Sequence, residues 1–427
     1  MRFPLIPAGR WLGLALLAVL LAGCALPALA HGAPAGFVSA SVPTLVPTAT
    51  PLPGPLAPAP WAPAMPVPPT PPSTAMPAPI PRAPTPAAKA MPVPPGPAPQ
   101  PVAGLPAADA YLAQETAAGR FSGTVLVAQQ GRILLEKAYG LANRERKLPN
   151  TLQTRYHIGS LTKQFTAMAI MQLQERGKLR VTDRITDYLS DCPPAWRDIT
   201  IEELLTHTSG IVDYFDLPGA DALLEHPATP DQIVELFRNR PLLFKPGSSW
   251  SYSNSGYVLL GQIIERVSGE SYASWIQSHI LAPAGMASTT CGSSGPPAAC
   301  AVGYNTDWTH APDADLALGY SAGGLCSTVE DLYRWDQALY TTRLCSQESL
   351  DTMFSPHYKL ANSAYGYGWT IRDDLGRRRI AHSGLLYGFS AFIARYPDQR
   401  VTIILLSNLE DAPLADYVDV LAKQVFK

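Results

Sequence analysis

Residues Phe389–Ser407 read FSAFIARYPDQRVTIILLS. Two apolar runs, Phe389–Tyr396 and Val401–Ser407, flank a proline-led turn at Pro397–Arg400. Their aromatic and β-branched content predicts strands, and the short connection makes the pair antiparallel. Tyr367–Ile371 and Arg379–His382, on either side of a turn at Asp373–Gly376, extend this pattern toward the N-terminus. Asp416–Phe426 closes the chain as a helix. Far upstream, Phe121–Ala128 and Arg132–Tyr139 form a second hairpin pattern around Gln129-Gln130-Gly131. The stretches between carry apolar residues at helical spacing: Phe165–Leu179, Pro230–Asn239, Tyr257–Val267 and Val329–Tyr340. Strands at both ends with helices between predict an α+β fold. One antiparallel sheet is built from both termini and flanked by helices, with a helical region inserted in the middle.

Composition divides the chain before any motif is read. Of 44 prolines, 29 fall within residues 1–106, while every acidic residue lies at or beyond Asp109. The net charge of −2 therefore combines a basic leader with a mildly acidic body. Such a body lacks the clustered Lys and Arg that displace counterions from phosphate, so nucleic acid is not an expected partner. From Pro34 to Pro106 the proline density excludes helix and central strand. Residues 24–106 are expected to form a disordered or polyproline-II spacer, rising ~3.1 Å per residue.

Residues 1–23 read as an export signal, with Arg2 and Arg10 before the apolar run Trp11–Leu21. Leu21-Ala22-Gly23-Cys24 resembles the lipobox of bacterial lipoproteins, which would make Cys24 the lipidated N-terminus and give the protein a membrane anchor in the cell envelope. Two other readings stand beside it: cleavage after Ala28-Leu29-Ala30 to release a secreted protein, or an uncleaved span over Trp11–Ala30. Export implies an oxidising compartment. Cys291 and Cys300 flank a small loop and are expected to close a disulfide. Cys326 and Cys345 are a poorer pair, and Cys192 has no evident partner. No two-pair zinc spacing occurs, and neither a metal nor a cofactor is expected.

Three motifs carry the chemistry. Ser160-Leu161-Thr162-Lys163 opens the first long helix, where positions i and i+3 share a face, so Lys163 can reach the Ser160 hydroxyl. A serine beside an amine at a helix N-terminus has the parts of a nucleophile. The plain alternative is a capping serine and an exposed lysine. Tyr252-Ser253-Asn254 is the only Tyr-x-Asn in the chain. An adjacent ammonium is expected to lower the phenol toward use as a base, and Asn254 offers both donor and acceptor. The alternative is a loop asparagine that caps the next helix. His382-Ser383-Gly384 lies at a strand end, where Gly384 permits close approach of a substrate backbone; the plain alternative is a structural strand histidine. The N–H groups of Leu385 and Ser160 could then form an oxyanion hole.

In this order and spacing, Ser-x-x-Lys, Tyr-x-Asn and His-x-Gly resemble the serine β-lactamase and DD-peptidase superfamily, nearest its class C-type β-lactamase-related serine hydrolases. Leu204-Leu205-Thr206-His207-Thr208-Ser209-Gly210 and Ser321-Ala322-Gly323-Gly324-Leu325 are similar to phrases common there. The likeness covers about residues 107–427 and implies a β-lactamase/transpeptidase-like fold. It implies Ser160 as nucleophile, Lys163 as its proton partner and Tyr252 as general base. Asn254, His382, Gly384 and Leu385 would line the substrate site, and His207 would shape a loop. The expected activity is extracytoplasmic hydrolysis of amides, esters or β-lactams through an acyl-enzyme, on a small-molecule or peptide substrate such as a cell-wall peptide. The competing expectation is a penicillin-binding or sensor lipoprotein that acylates without efficient turnover. One departure stands out: most β-lactamases of this type have Lys-Thr-Gly, and here the lysine is His382. With an unperturbed pKa near 6.5, His382 would be mostly neutral at pH 7; if it binds a substrate carboxylate as imidazolium, that grip should weaken as pH rises through about 6–7. The loops Tyr214–Pro230 and Cys291–Tyr320 are expected to wall the cleft.

Overall fold

The computed structural model of the chain describes residues 104–427, apart from 225–227, 293–299 and 313–315. The leader, Cys24, the alternative cleavage site and the spacer up to residue 103 lie outside the described residues. So do parts of both loops expected to wall the cleft.

The N-terminal hairpin forms as β1 (Gly123–Gln129) and β2 (Arg132–Tyr139). Gln130 and Gly131 both take positive φ, the conformation that lets a two-residue turn follow the strand twist. The short strands Tyr156–His157 (β3), Thr290–Cys291 (β4) and Leu325–Ser327 (β5) form a small separate sheet in the order β3-β5-β4. The C-terminal strands are Tyr358–Lys359 (β6), Ala364–Tyr365 (β7), Thr370–Asp374 (β8), Arg377–Leu386 (β9), Phe389–Tyr396 (β10) and Val401–Ser407 (β11). Among the described residues the main sheet runs β2-β1-β11-β10-β9-β8-β7-β6. The last strand thus pairs with the first, Val125 opposite Leu405, and both termini build one antiparallel sheet as the sequence predicts.

The period-2 alternation along β11 divides two cores. Val401, Ile403 and Leu405 face helices Pro106–Ala117 (α1) and Leu414–Val425 (α7), packing against Leu112, Tyr417 and Leu421. Ile404 and Leu406 face the helical region, whose central member is Thr162–Glu175 (α2). Twelve of the fourteen α2 residues are buried, so this helix is surrounded rather than laid on a surface. Ile201–Leu205 (α3), Pro230–Phe237 (α4), Asn254–Ser268 (α5) and Val329–Ala338 (α6) complete the helices that matter for the site.

Several expected bounds shift. The run Tyr367–Ile371 is not one strand: Gly366 bonds back to Trp369, and β8 begins only at Thr370. Strand β9 continues four residues beyond His382, because its ladder with β10 persists through Gly384↔Ala391 to Leu386↔Phe389. The Cys291–Cys300 disulfide is not formed. Cys300 bridges to Arg155 beside β3, whereas Cys291 sits in β4, and β5 lies between those two strands. Cys300 packs instead against Cys326 of β5.

Candidate active site

Ser160 sits in a single 3-10 turn, Gly159–Leu161, that runs directly into α2. Lys163, one helical turn on, points its Nζ back to Ser160 Oγ at 3.1 Å. The same nitrogen donates to Asn254 Oδ1 at 2.6 Å and to the Ala322 carbonyl at 2.9 Å. Lys163 is fully buried. Loss of solvent pushes its pKa down to about 7, against the upward pull of the Asp213 carboxylate. Its three acceptors therefore have a chemical consequence. Asn254 Oδ1 and the Ala322 carbonyl can only accept, whereas Ser160 Oγ–H can also donate. When Lys163 gives up one proton, its two remaining N–H groups stay with the first two oxygens and its lone pair faces Ser160.

Tyr252 and Asn254 reach this centre through a helix cap. Ser253, the middle residue of Tyr-Ser-Asn, is the N-cap of α5, its Oγ accepting from the Gly256 N–H at 3.3 Å. Asn254 is thus the first helical residue, and the capping role belongs to its neighbour. The Tyr252 phenol neighbours Ser160, which eases its ionisation without offsetting burial. Its ring lies beneath the amine, with Lys163 Nζ 4.8 Å from the centroid, and beside the His207 ring at 4.3 Å. The expectation that the ammonium lowers the phenol pKa is corrected here. The cation meets the face of the ring, and burial pushes the Tyr252 pKa up, so the phenol is neutral.

His382 is neutral, as its ordinary pKa implies, and the conditional role as an imidazolium is not supported. His382 is 6 % exposed, and both ring nitrogens are occupied. Nδ1 lies 2.6 Å from the Ser383 carbonyl, which can only accept, so Nδ1 carries the proton. Nε2 then accepts from the Tyr365 phenol at 2.9 Å. Burial, and after it the Lys163 charge, lower the His382 pKa to about 4. The imidazole at neutral pH is an uncharged brace behind Tyr252, whose ring centroid is 6.4 Å away, and not a cation for a substrate carboxylate.

Gly384 and Leu385 do lie at the nucleophile. A Cβ on Gly384 would overlap the Ile158 carbonyl oxygen, and one on Gly159, where φ is +50°, would stand 2.8 Å from the Leu385 nitrogen. Two glycines thus let β9 run backbone against backbone past the turn that carries Ser160. The close approach that Gly384 permits is made by the protein's own chain. It brings the Leu385 backbone against Gly159, the residue preceding Ser160.

The two remaining phrases support the catalytic groups. His207, with φ +62°, accepts the Ser253 N–H on Nδ1 at 3.1 Å and bonds the Ser251 N–H through its carbonyl. It therefore holds the segment that carries Tyr252. Burial keeps this imidazole neutral as well. Ser321–Leu325 is tied to α2 by Thr166 Oγ1 donating to the Ser321 carbonyl at 2.6 Å and by the Leu325 N–H donating to Thr162 Oγ1 at 3.2 Å. Two participants were not singled out in the sequence, Asp213 and Tyr365, and Ala322 lies in a quoted phrase that gave its carbonyl no role. Asp213 lies three residues past a recognisable phrase, but its partner Asn254 is far along the chain and nothing local marks it.

Fold and site together define a serine hydrolase of the β-lactamase/transpeptidase type, a mixed sheet-and-helix domain with Ser-x-x-Lys at the start of its central helix. The Beta-lactamase family pattern matches residues 108–425, and the chain belongs to that family. It is 37% identical over 315 residues to penicillin-binding protein 4* of Bacillus subtilis (strain 168), covering 68% of this chain and 69% of that protein. The solved penicillin binding protein from Bacillus halodurans superposes with a TM-score of 0.65 at 30% identity, over 73% of this chain and 98% of that one. A D-stereospecific amidohydrolase from Streptomyces sp. superposes with a TM-score of 0.61 at 27% identity, over 71% and 94%.

Proposed function

We propose that this chain is an extracytoplasmic serine hydrolase that forms an acyl-enzyme on Ser160 with amide, ester or β-lactam carbonyls. The observation that carries this reading is the Lys163 amine, buried and fixed by Asn254 and Ala322 with its third valence on Ser160 Oγ. As a free amine Lys163 takes the Ser160 proton while Oγ bonds to the substrate carbonyl carbon. The N–H groups of Ser160 and Leu385 receive the developing oxyanion. The neutral Tyr252 gives its phenolic proton to the leaving group and regains one from the Lys163 ammonium. For deacylation water enters in place of the leaving group and bonds to the acyl carbon while its proton passes by way of Tyr252 to Lys163, and Lys163 returns a proton to Ser160 Oγ as the ester bond breaks. Asn254 both aligns Lys163 and offers substrate a hydrogen-bonding edge.

The penicillin-binding relatives support acylation by a β-lactam. The likeness to a D-stereospecific amidohydrolase supports an amide next to a D-configured residue as the natural substrate class, a cell-wall peptide among them. The uncharged His382 supports substrates that need no imidazolium partner. Export by residues 1–23 and anchoring through a lipid on Cys24 belong to the same proposal. Replacing Cys24 by serine should release the protein from the membrane fraction into the medium.

The test is intact-mass spectrometry of the full chain with benzylpenicillin over time, with Ser160→Ala alongside. A lasting adduct on wild type alone means a penicillin-recognising peptidase-type or sensor site. A transient adduct with accumulating penicilloate means a β-lactamase. No adduct, together with no Ser160-dependent hydrolysis of activated esters, refutes the proposal.

A further inference from the structure

Asp213 touches neither Ser160 nor a substrate position, yet it determines how Asn254 stands. Its Oδ2 accepts the Asn254 side-chain amide at 2.7 Å and the Asn254 backbone N–H at 3.2 Å, while Oδ1 accepts the Phe215 N–H at 3.1 Å. The turn that carries it is stitched to α5 by Ser255, whose hydroxyl donates to the Val212 carbonyl at 2.7 Å and accepts the Tyr214 N–H at 2.9 Å. Burial raises the Asp213 pKa to about 6, so at neutral pH it is a carboxylate that cannot donate and admits only the NH₂ end of the Asn254 amide. The oxygen end must then face Lys163, where it lies 2.6 Å from Nζ.

We infer that Asp213 is a positioning residue for the acyl-transfer reaction, acting through the Asn254 amide to keep the Lys163 lone pair on Ser160. This rests on the reading of Ser160 and Lys163 given above. Without the carboxylate the Asn254 amide is free to rotate, present NH₂ to the amine and draw the Lys163 lone pair away from Ser160. Asp213 also supplies the negative charge that opposes the desolvation of Lys163. The other groups around that amine are Ser160, Asn254, the Ala322 carbonyl and the rings of Tyr252 and Tyr257, with His207 and His382 within its field. None of these is an anion at neutral pH, so the anionic partner of the site is Asp213.

The test labels Ser160 with a fluorophosphonate, which reports activation of the hydroxyl without needing the natural substrate. Rates are followed by intact mass from about pH 5 to 9 for wild type, Asp213→Asn and the exchanged pair D213N/N254D. Asp213→Asn should label ten- to a hundredfold more slowly, and the pH at which labelling is half-maximal should fall, because the charge that raises the Lys163 pKa is gone. In the exchanged pair a carboxylate at position 254 accepts from Lys163 directly while the amide at 213 donates to it. Labelling should recover at least tenfold over the single variant, and its midpoint should move above that of wild type. Opposite shifts in the two variants are not produced by a residue that only stabilises the turn. Equal rates and midpoints in wild type and Asp213→Asn overturn the inference while leaving the proposed function standing. A wild-type chain that takes no label at Ser160 removes both. Should Asp213→Asn fail to fold, the exchanged pair decides alone: a midpoint at or below that of wild type overturns the inference.

Discussion

Acidification should unfold this protein earlier than its carboxylates alone would dictate, and His382 provides the magnitude. Its imidazole has a pKa of about 4 in the folded chain against an unfolded value of 6.5. Between those limits the unfolded state binds the extra proton, so stability rises with pH across this window. The contribution is complete above about pH 6.5 and is lost as pH falls toward 4. Linkage gives a loss of roughly 1 kcal/mol at about pH 5.5 and between 2 and 3 kcal/mol at about pH 4.5. The assay is urea unfolding at about pH 7.5, 5.5 and 4.5 for wild type and His382→Gln, which keeps an acceptor for the Tyr365 hydroxyl. Carboxylates and His207 titrate in both proteins and cancel in the comparison. The variant should be less stable at neutral pH but should lose less stability on acidification, by about the amounts above. Parallel pH dependences would mean that His382 is not held neutral by its burial, and the reading of its two hydrogen bonds would be wrong.

Three further outcomes are expected. With Lys163 as base, kcat/KM toward an activated ester should rise through an apparent pKa near 7, the value to which burial lowers the amine, and Lys163→Met should remove that limb together with the activity. Gly384→Ala should displace β9 from the turn at Ile158 and lower kcat by about 10²–10³, the usual cost of one lost oxyanion donor; an unchanged kcat would show that Leu385 plays no such part. Cys300 is held down to about 6 by the neighbouring Cys326 thiol and secondarily by Arg155. Iodoacetamide should therefore modify Cys300 first, slowing as pH falls below about 6, while Cys326, whose pKa is pushed well up, stays unreacted in peptide maps.

The sheet was legible because its strands obey period-2 alternation and its turns carry their own signals, which is why β10 and β11 match their sequence bounds. Strand β9 was cut short because Ser383-Gly384 interrupts the apolar run, although pairing with β10 carries it onward. Helix α1 left no trace: PAADAYLAQETA has no apolar stripe and buries little beyond Ala108 and Leu112. At the site, Ser160, Lys163, Tyr252 and Asn254 were readable from short motifs, since each lies within a turn of a helix start. What those residues do to one another was not readable. The direction of the Tyr252 and His382 pKa shifts depends on burial by segments distant in sequence. Asp213, Ala322 and Tyr365 enter only through folding partners that no spacing reveals.

The pairing of the first strand with the last has a consequence for synthesis. While the chain emerges from the ribosome, the β1–β2 hairpin has an open edge at β1 whose partner is made only after every other described strand of the sheet. Strand β11 occupies a middle position in the finished sheet, so a chain stopped at Tyr396 loses the joint between its two halves rather than a trimming at the rim. The turn that leads into α2 holds Ser160, and β9 must come to lie against it before Leu385 is in place. The nucleophile should therefore stay inert in every nascent or truncated chain. Labelling of Ser160 by a fluorophosphonate would then serve as a read-out of completed folding, silent until β11 has closed the sheet.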